Sequence, residues 1–176
     1  ILSKPTRITS IIGAELAAKS PPDGYTLVMT PQTSVAVAPA LYGKAAYETM
    51  RDFQPITLTG YTPLLMVVHP SFPPKTFKEF IALAKKSKEP ITFGSGGVGS
   101  SPHMAGELMA SQLGIKITHI PYKGENPALA DTIGGQIPIM FGNLPVAVPH
   151  VNNGKLRGLG GAELAHKVGA LGGAAT

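Results

Sequence analysis

Apolar and polar positions change period along this chain, and the changes mark its elements. Leu64–Val68 is a continuous apolar run closed by His69-Pro70, the pattern of a strand buried on both faces. Thr76-Phe77-Lys78-Glu79 reads as a capping box: the Thr hydroxyl takes the Glu79 amide while the carboxylate reaches back. The helix it opens places Phe77, Phe80, Ile81 and Ala84 on one face. Then follow a strand at Ile91–Phe93, a glycine-rich loop at Gly94–Ser101 and a helix at Pro102–Leu113 ending at Gly114. Next come a strand at Lys116–Ile120, a helix at Pro127–Ile133 and a strand at Ile137–Phe141. A helical turn at Val146–Val151 and a strand at Lys155–Leu159 complete the series. Strand and helix alternating across short joints specify a largely parallel sheet with helices on its faces.

The first third is less regular. Ile1–Thr9 reads as a strand and Ile12–Lys19 as a short helix stopped by Ser20-Pro21-Pro22. Asp23-Gly24 is a turn signal, Tyr25–Met29 an apolar strand and Thr30–Ser34 a loop at its end. The joint between the first strand and its helix is shorter than a first βα unit normally has. The expectation is a missing segment near residues 9–11. After Leu159 the chain turns rich in Gly and Ala, with a last helix expected at Ala162–Leu171.

Composition narrows the functional classes. The 176 residues are 43% apolar and carry 21 Gly and 17 Pro, which suits a globular chain of short elements and shaped loops. The net charge is +5, but only Arg7, Arg51 and Arg157 are arginines. No basic block is interleaved with aromatics, so nucleic acid is not an expected partner. The densest run, Lys85-Lys86-Ser87-Lys88, ends a helix and complements its dipole. There is no Cys, which excludes disulfides, thiolate catalysis and Cys-ligated metal. No apolar run is long enough to span a bilayer.

The stretch from Gly94 to Pro102 carries the chemistry. Its glycines allow close backbone approach to a ligand. Ser101 fits an N-cap and Pro102 a first helical residue. The helix end they form would present N–H groups and a partial positive charge to an anion. Ser95, Gly96, Gly97, Gly99, Ser100, Ser101 and His103 are the candidate ligand contacts, with the Ser100 hydroxyl as a side-chain donor. Gly94, Gly96 and Gly99 also match G-x-G-x-x-G. That keeps open a nucleotide-dependent enzyme, although no acidic residue follows at the ribose spacing. Ser100 or Ser101 beside His103 lacks a nucleophile elbow and a supporting acid. His103 and Glu107 share a helix face but lack further ligands nearby, so neither metal nor cofactor is expected. The loop holds no Lys or Arg, which suits reversible capture.

The sequence resembles the Bug-type receptors, the extracytoplasmic solute-binding component of tripartite tricarboxylate transporters. The resemblance is carried, in order, by Pro22-Asp23-Gly24-Tyr25-Thr26-Leu27, Pro39-Ala40-Leu41-Tyr42, Arg51-Asp52-Phe53 and Val68-His69-Pro70-Ser71. It continues through Ser95–Leu108, His119-Ile120-Pro121-Tyr122-Lys123-Gly124, Gly134-Gly135-Gln136, Met140-Phe141 and Gly154-Lys155-Leu156-Arg157. It implies an α/β, two-lobed periplasmic-binding-protein-like fold of mostly parallel sheets, closing on a small carboxylate: a dicarboxylate, an acidic amino acid or an aromatic acid. Residues 1–70 would form an incomplete first lobe, 71–160 the second, and 161–176 a displaced C-terminal helix of the first. It further implies a monomeric, non-enzymatic receptor, exported to the periplasm with its signal peptide removed and delivering ligand to membrane permease subunits. A signalling role would leave the same sequence. The family's first-lobe ligand loop has no counterpart here. Family pattern and loop position add Gln32, Thr33, Ser34, Gly124 and Asn143 to the candidates.

Overall fold

A computed structural model describes residues 9–39 and 47–161. The expected strand at residues 1–8, the Pro39–Tyr42 motif beyond Pro39 and the expected helix at 162–171 lie outside them. The chain divides into two compact units, one ending at Thr59 and the other beginning at Gly60.

The first unit contains α1 (Thr9–Ala18), a π-helical segment (Thr33–Val37) and α2 (Thr49–Asp52). Ile11, Ala14, Ala38 and Tyr47 form its small core. Tyr47 donates its hydroxyl proton to the Ser34 carbonyl and meets the Phe53 ring edge-on at 5.4 Å. The turn at Asp23-Gly24 forms as expected: Gly24 takes a φ of +84°, and Asp23 Oδ1 accepts the Tyr25 amide at 3.0 Å. Two readings are corrected here. Tyr25–Met29 forms neither strand nor helix, and Tyr25, Leu27 and Met29 are largely exposed. Its apolar run has no strand to pair with among the described residues of this unit, and a lone strand leaves its backbone groups unmatched. Thr30–Ser34 is not wholly loop either. Helical backbone starts at Gln32, and Thr33 and Ser34 are buried.

The second unit follows the alternation closely. It comprises β1 (Leu64–Val68), α3 (Phe77–Lys86), β2 (Ile91–Ser95), α4 (Ser101–Leu113), β3 (Ile117–Pro121), α5 (Glu125–Ile133), β4 (Ile139–Asn143), α6 (Leu144–Asn152) and β5 (Arg157–Gly161). The strands make one five-stranded sheet in the order β3-β2-β4-β1-β5. β2 runs parallel to β3 and β4, whereas β1 runs antiparallel to β4 and β5. The sheet is therefore mixed. These pairings also place β1 with the second unit, whereas the sequence reading ended the first lobe at residue 70.

Alternation along each strand divides the core in two. Met66, Val68, Phe93, Ile139 and Phe141 face α3 and α4, packing on Phe77, Phe80, Met109 and Ala110. Val67 and Met140 face the other way, onto Ala128 and Leu129 of α5 and Ala147 of α6. Burying side chains of this size contributes roughly 1.5–3 kcal/mol each. The capping box operates at α3: Thr76 Oγ1 accepts the Glu79 amide at 3.2 Å, and Glu79 Oε2 accepts the Lys75 amide at 2.8 Å. Gly106 lets α4 lie close to the sheet, since a Cβ there would stand 2.4 Å from the Phe93 ring. Among the described residues no helix is long and apolar enough to cross a membrane.

Candidate functional site

Because β2, β3 and β4 are parallel, their carboxyl ends share one edge of the sheet. From that edge start α4, α5 and α6. α4 goes to one face, α5 and α6 to the other. The ends of β2 and β4 therefore flank a point where the connections part, the usual ligand position in open α/β sheets. Ser95 ends β2 and Gly96–Ser100 links it to Ser101 of α4, Gly124 closes the loop after β3, and Asn143 ends β4. The structure thus brings three of the sequence-derived candidate groups to one edge. Gln32, Thr33 and Ser34 belong to the first unit.

The glycine-serine loop is internally tied. Ser95 is fully buried at the end of β2. Its Oγ accepts the Gly97 amide at 3.2 Å and lies 2.6 Å from His119 Nε2 of β3. Gly97, at φ +131°, offers its carbonyl to the Ser100 hydroxyl at 2.7 Å and to the Ser100 amide at 3.2 Å. Ser100, not Ser101, is the N-cap of α4, and its Oγ accepts the His103 amide at 3.4 Å. The cap moved by one residue because Ser100 has the extended backbone a cap requires, while Ser101 and Pro102 are already helical. The Gly99 amide goes to His103 Nδ1 at 3.0 Å.

These bonds revise the expectation of an open row of donors. The amides of Gly97, Gly99 and His103 and the hydroxyl of Ser100 are engaged within the loop. Ser101 is exposed and is the first residue of α4, so its N–H has no acceptor within the helix. Its hydroxyl stands beside that donor, at the positive end of a thirteen-residue helix.

The histidines complete the site. His103 of α4 stacks on His119 of β3, with ring centroids 4.0 Å apart. Burial, and then the neighbouring His103, push the His119 pKa down to about 4. Burial likewise lowers the His103 pKa, against the opposing pull of Glu107, whose Oε1 lies 3.7 Å from His103 Nε2. Since Nδ1 of His103 accepts the Gly99 amide, the proton of the neutral ring sits on Nε2, toward Glu107.

Asn143 and Gly124 have different surroundings from those expected. Glu125, the first residue of α5, spans to β4 and accepts both the Asn143 amide at 2.5 Å and the Asn143 side-chain amide at 2.7 Å. Asn143, a candidate from family pattern and loop position, thus has its backbone and side-chain amides taken by the chain's own carboxylate. Gly142 makes room for it: a Cβ there would lie 3.0 Å from Glu125 Oε1. Gly124, at φ +110°, donates its amide to the Gly96 carbonyl at 3.2 Å. The loops after β2 and β3 are so close that a Cβ on Gly96 would stand 3.3 Å from the Glu125 nitrogen.

The same geometry removes the main support for a dinucleotide site. Gly94 lies inside β2, where a Cβ would collide with the Ile137 side chain at 2.4 Å. Its glycine serves packing, whereas the fingerprint needs its first glycine at the turn. Ser95, though close to a histidine, is fully buried and unsuited to attack a substrate.

The family model of the tripartite tricarboxylate transporter family receptor (TctC) matches residues 2–168. The chain belongs to this family. Protein BugT of Bordetella pertussis is 33% identical over 85% of the chain and 46% of BugT. The structure of Rhodopseudomonas palustris MatC (Rpa3494) with bound malate superposes with a TM-score of 0.71 at 29% identity, over 86% of this chain and 51% of that one. R. palustris Rpa4515 with adipate gives 0.73 at 31% identity, over 86% and 50%. The chain spans less than half the length of the curated relatives it matches first. The α/β fold expected from the resemblance is that of these TctC-type proteins.

Sequence reasoning missed His119 and Glu125 as parts of this candidate site. His119 sits in the motif His119–Gly124, which gave the resemblance but suggested no partner. What could have exposed it is its place in a strand directly beside the one leading into the loop. Glu125 could have been found as an acid at the first turn of a helix, where the dipole favours it.

Proposed function

We propose that this chain is ligand-binding sequence of an extracytoplasmic solute receptor, and that its ligand is a small carboxylate. The ligand class extends to dicarboxylates, acidic amino acids and aromatic acids. The observation that carries the reading is the exposed Ser101 at the start of α4, set by an internally hydrogen-bonded Gly-Ser loop at the carboxyl edge of the sheet, in a member of a receptor family. Relatives of the same fold holding malate and adipate support the chemistry. A carboxylate oxygen accepts from the Ser101 amide and hydroxyl, aided by the helix dipole and by bridging water. Ser95, Gly96, Gly97, Gly99, Ser100 and His103 shape the cradle, with Gly124 and Asn143 behind it. The chain acts in the periplasm, performs no catalysis, and hands its ligand to membrane permease subunits.

Calorimetric titration with malate, adipate, glutamate and benzoate tests this. At least one acid is expected to bind saturably with one site, and the matching amide derivative not at all. Ser101→Ala removes one hydrogen bond to a charged group, worth about 1.5–3 kcal/mol, so affinity should fall roughly tenfold or more. No heat from any acid, or equal binding of acid and amide, contradicts the reading.

A further inference from the structure

We infer that His119 is a positioning residue for the ligand loop, acting through Ser95. The inference deepens the carboxylate reading and rests on it for the identity of the ligand. The connection runs through four short links. His119 Nε2 holds Ser95 Oγ at 2.6 Å. Ser95 Oγ accepts the Gly97 amide at 3.2 Å. The Gly97 carbonyl accepts the Ser100 hydroxyl at 2.7 Å. Ser100 caps α4 and so fixes where the Ser101 amide points.

A second hold comes from the ring face. His103, one turn into α4, stacks on His119 and takes the Gly99 amide. His119 also meets the ring of Phe93, its register partner on β2, with ring centroids 5.0 Å apart. The imidazole therefore cannot rotate away from Ser95 without displacing the loop or the core. Titratable neighbours are few: His103 from α4, with Glu107 behind it; β2 presents the uncharged Phe93 and Ser95. Burial keeps the ring neutral at physiological pH, and a neutral Nε2 can pair with a hydroxyl in either tautomer. The imidazole acts on the loop through its bond to Ser95. Its consequence is a loop that is already shaped before the ligand arrives, which lowers the entropy lost on binding.

Two substitutions separate the hydrogen bond from the packing. His119→Phe keeps a ring between Phe93 and His103 but deletes the bond to Ser95. His119→Gln places an amide near the position of Nε2 and restores it. Amide hydrogen exchange on the free protein is the first readout. In His119→Phe, the Gly97 and Gly99 amides should exchange at least tenfold faster, while those of β1 and β4 keep their protection. His119→Gln should return most of the loss. Malate or adipate, whichever the wild type binds, should bind His119→Phe about tenfold more weakly and His119→Gln nearly normally. Unchanged Gly97 exchange in His119→Phe overturns the inference, as does equal loss in both variants. If the wild type binds no acid while Gly97 exchange still responds, the positioning role stands and the carboxylate reading fails.

Discussion

Ser95 and His119 illustrate how one buried hydroxyl organises a loop. A serine wholly out of water must find partners, and here its partners are the loop backbone and an imidazole from the next strand. The histidine is in turn held uncharged, which makes the site sensitive to acid. The folded-state pKa of His119, about 4, lies below the ordinary 6.5, so the unfolded chain binds the proton more readily. Stability from this residue is then complete above pH 6.5 and declines as the pH falls from 6.5 toward 4. His103 shifts in the same direction and adds to the decline. Thermal midpoints measured from pH 7 to pH 4 should fall across that window, and less steeply for His119→Gln than for the wild type. Identical slopes would show that His119 is not held neutral by the fold. None of this was readable from sequence. A separation of 24 positions between Ser95 and His119 leaves no local signal that the two meet. Glu125 and Asn143 were hidden in the same way, by a separation of 18 residues.

Elements, in contrast, were largely legible where pattern and partner agreed. The capping box before α3, the glycine stop after α4 and the apolar run of β1 all state local physics that the fold keeps. Thr76→Ala removes the hydroxyl that accepts the Glu79 amide and should cost about 1 kcal/mol, read as a lower urea midpoint with an unchanged slope. A loss near zero would mean that Glu79 and its bond to the Lys75 amide carry the cap alone. Tyr25–Met29 shows the opposite case. Its apolar run is that of a strand, but strand formation is decided by a neighbour, and its own unit provides none among the described residues. Gln32–Ser34 was misread because its polar residues and Pro31 suggest a loop. In the structure Thr33 and Ser34 turn into the small core beneath Tyr47. The one-residue displacement of the α4 cap has a similar origin: two adjacent serines offer the same side chain, and only the backbone distinguishes them.

At the scale of the whole molecule, direction of strands matters more than their number. Three parallel strands deliver their carboxyl ends, and three helix starts, to one edge of the second unit. The antiparallel β1 extends the sheet without adding a helix start there. The sequence indicated α/β alternation but not the reversed strand, because local pattern does not encode strand direction. Placement of helices on opposite faces parts the connections after β2 and β4, and Glu125 bonds Asn143 on the β4 side. On the proposed reading the ligand takes the α4 side. Backbone resonances of a 15N-labelled sample, followed while malate or adipate is added, test that assignment most directly. Saturable shifts should be largest at Gly96–Ser101 and the first turn of α4, with small changes at Glu125 and Asn143. Shifts centred on another edge of the sheet, with the Gly96–Ser101 amides unmoved at saturation, would contradict the account.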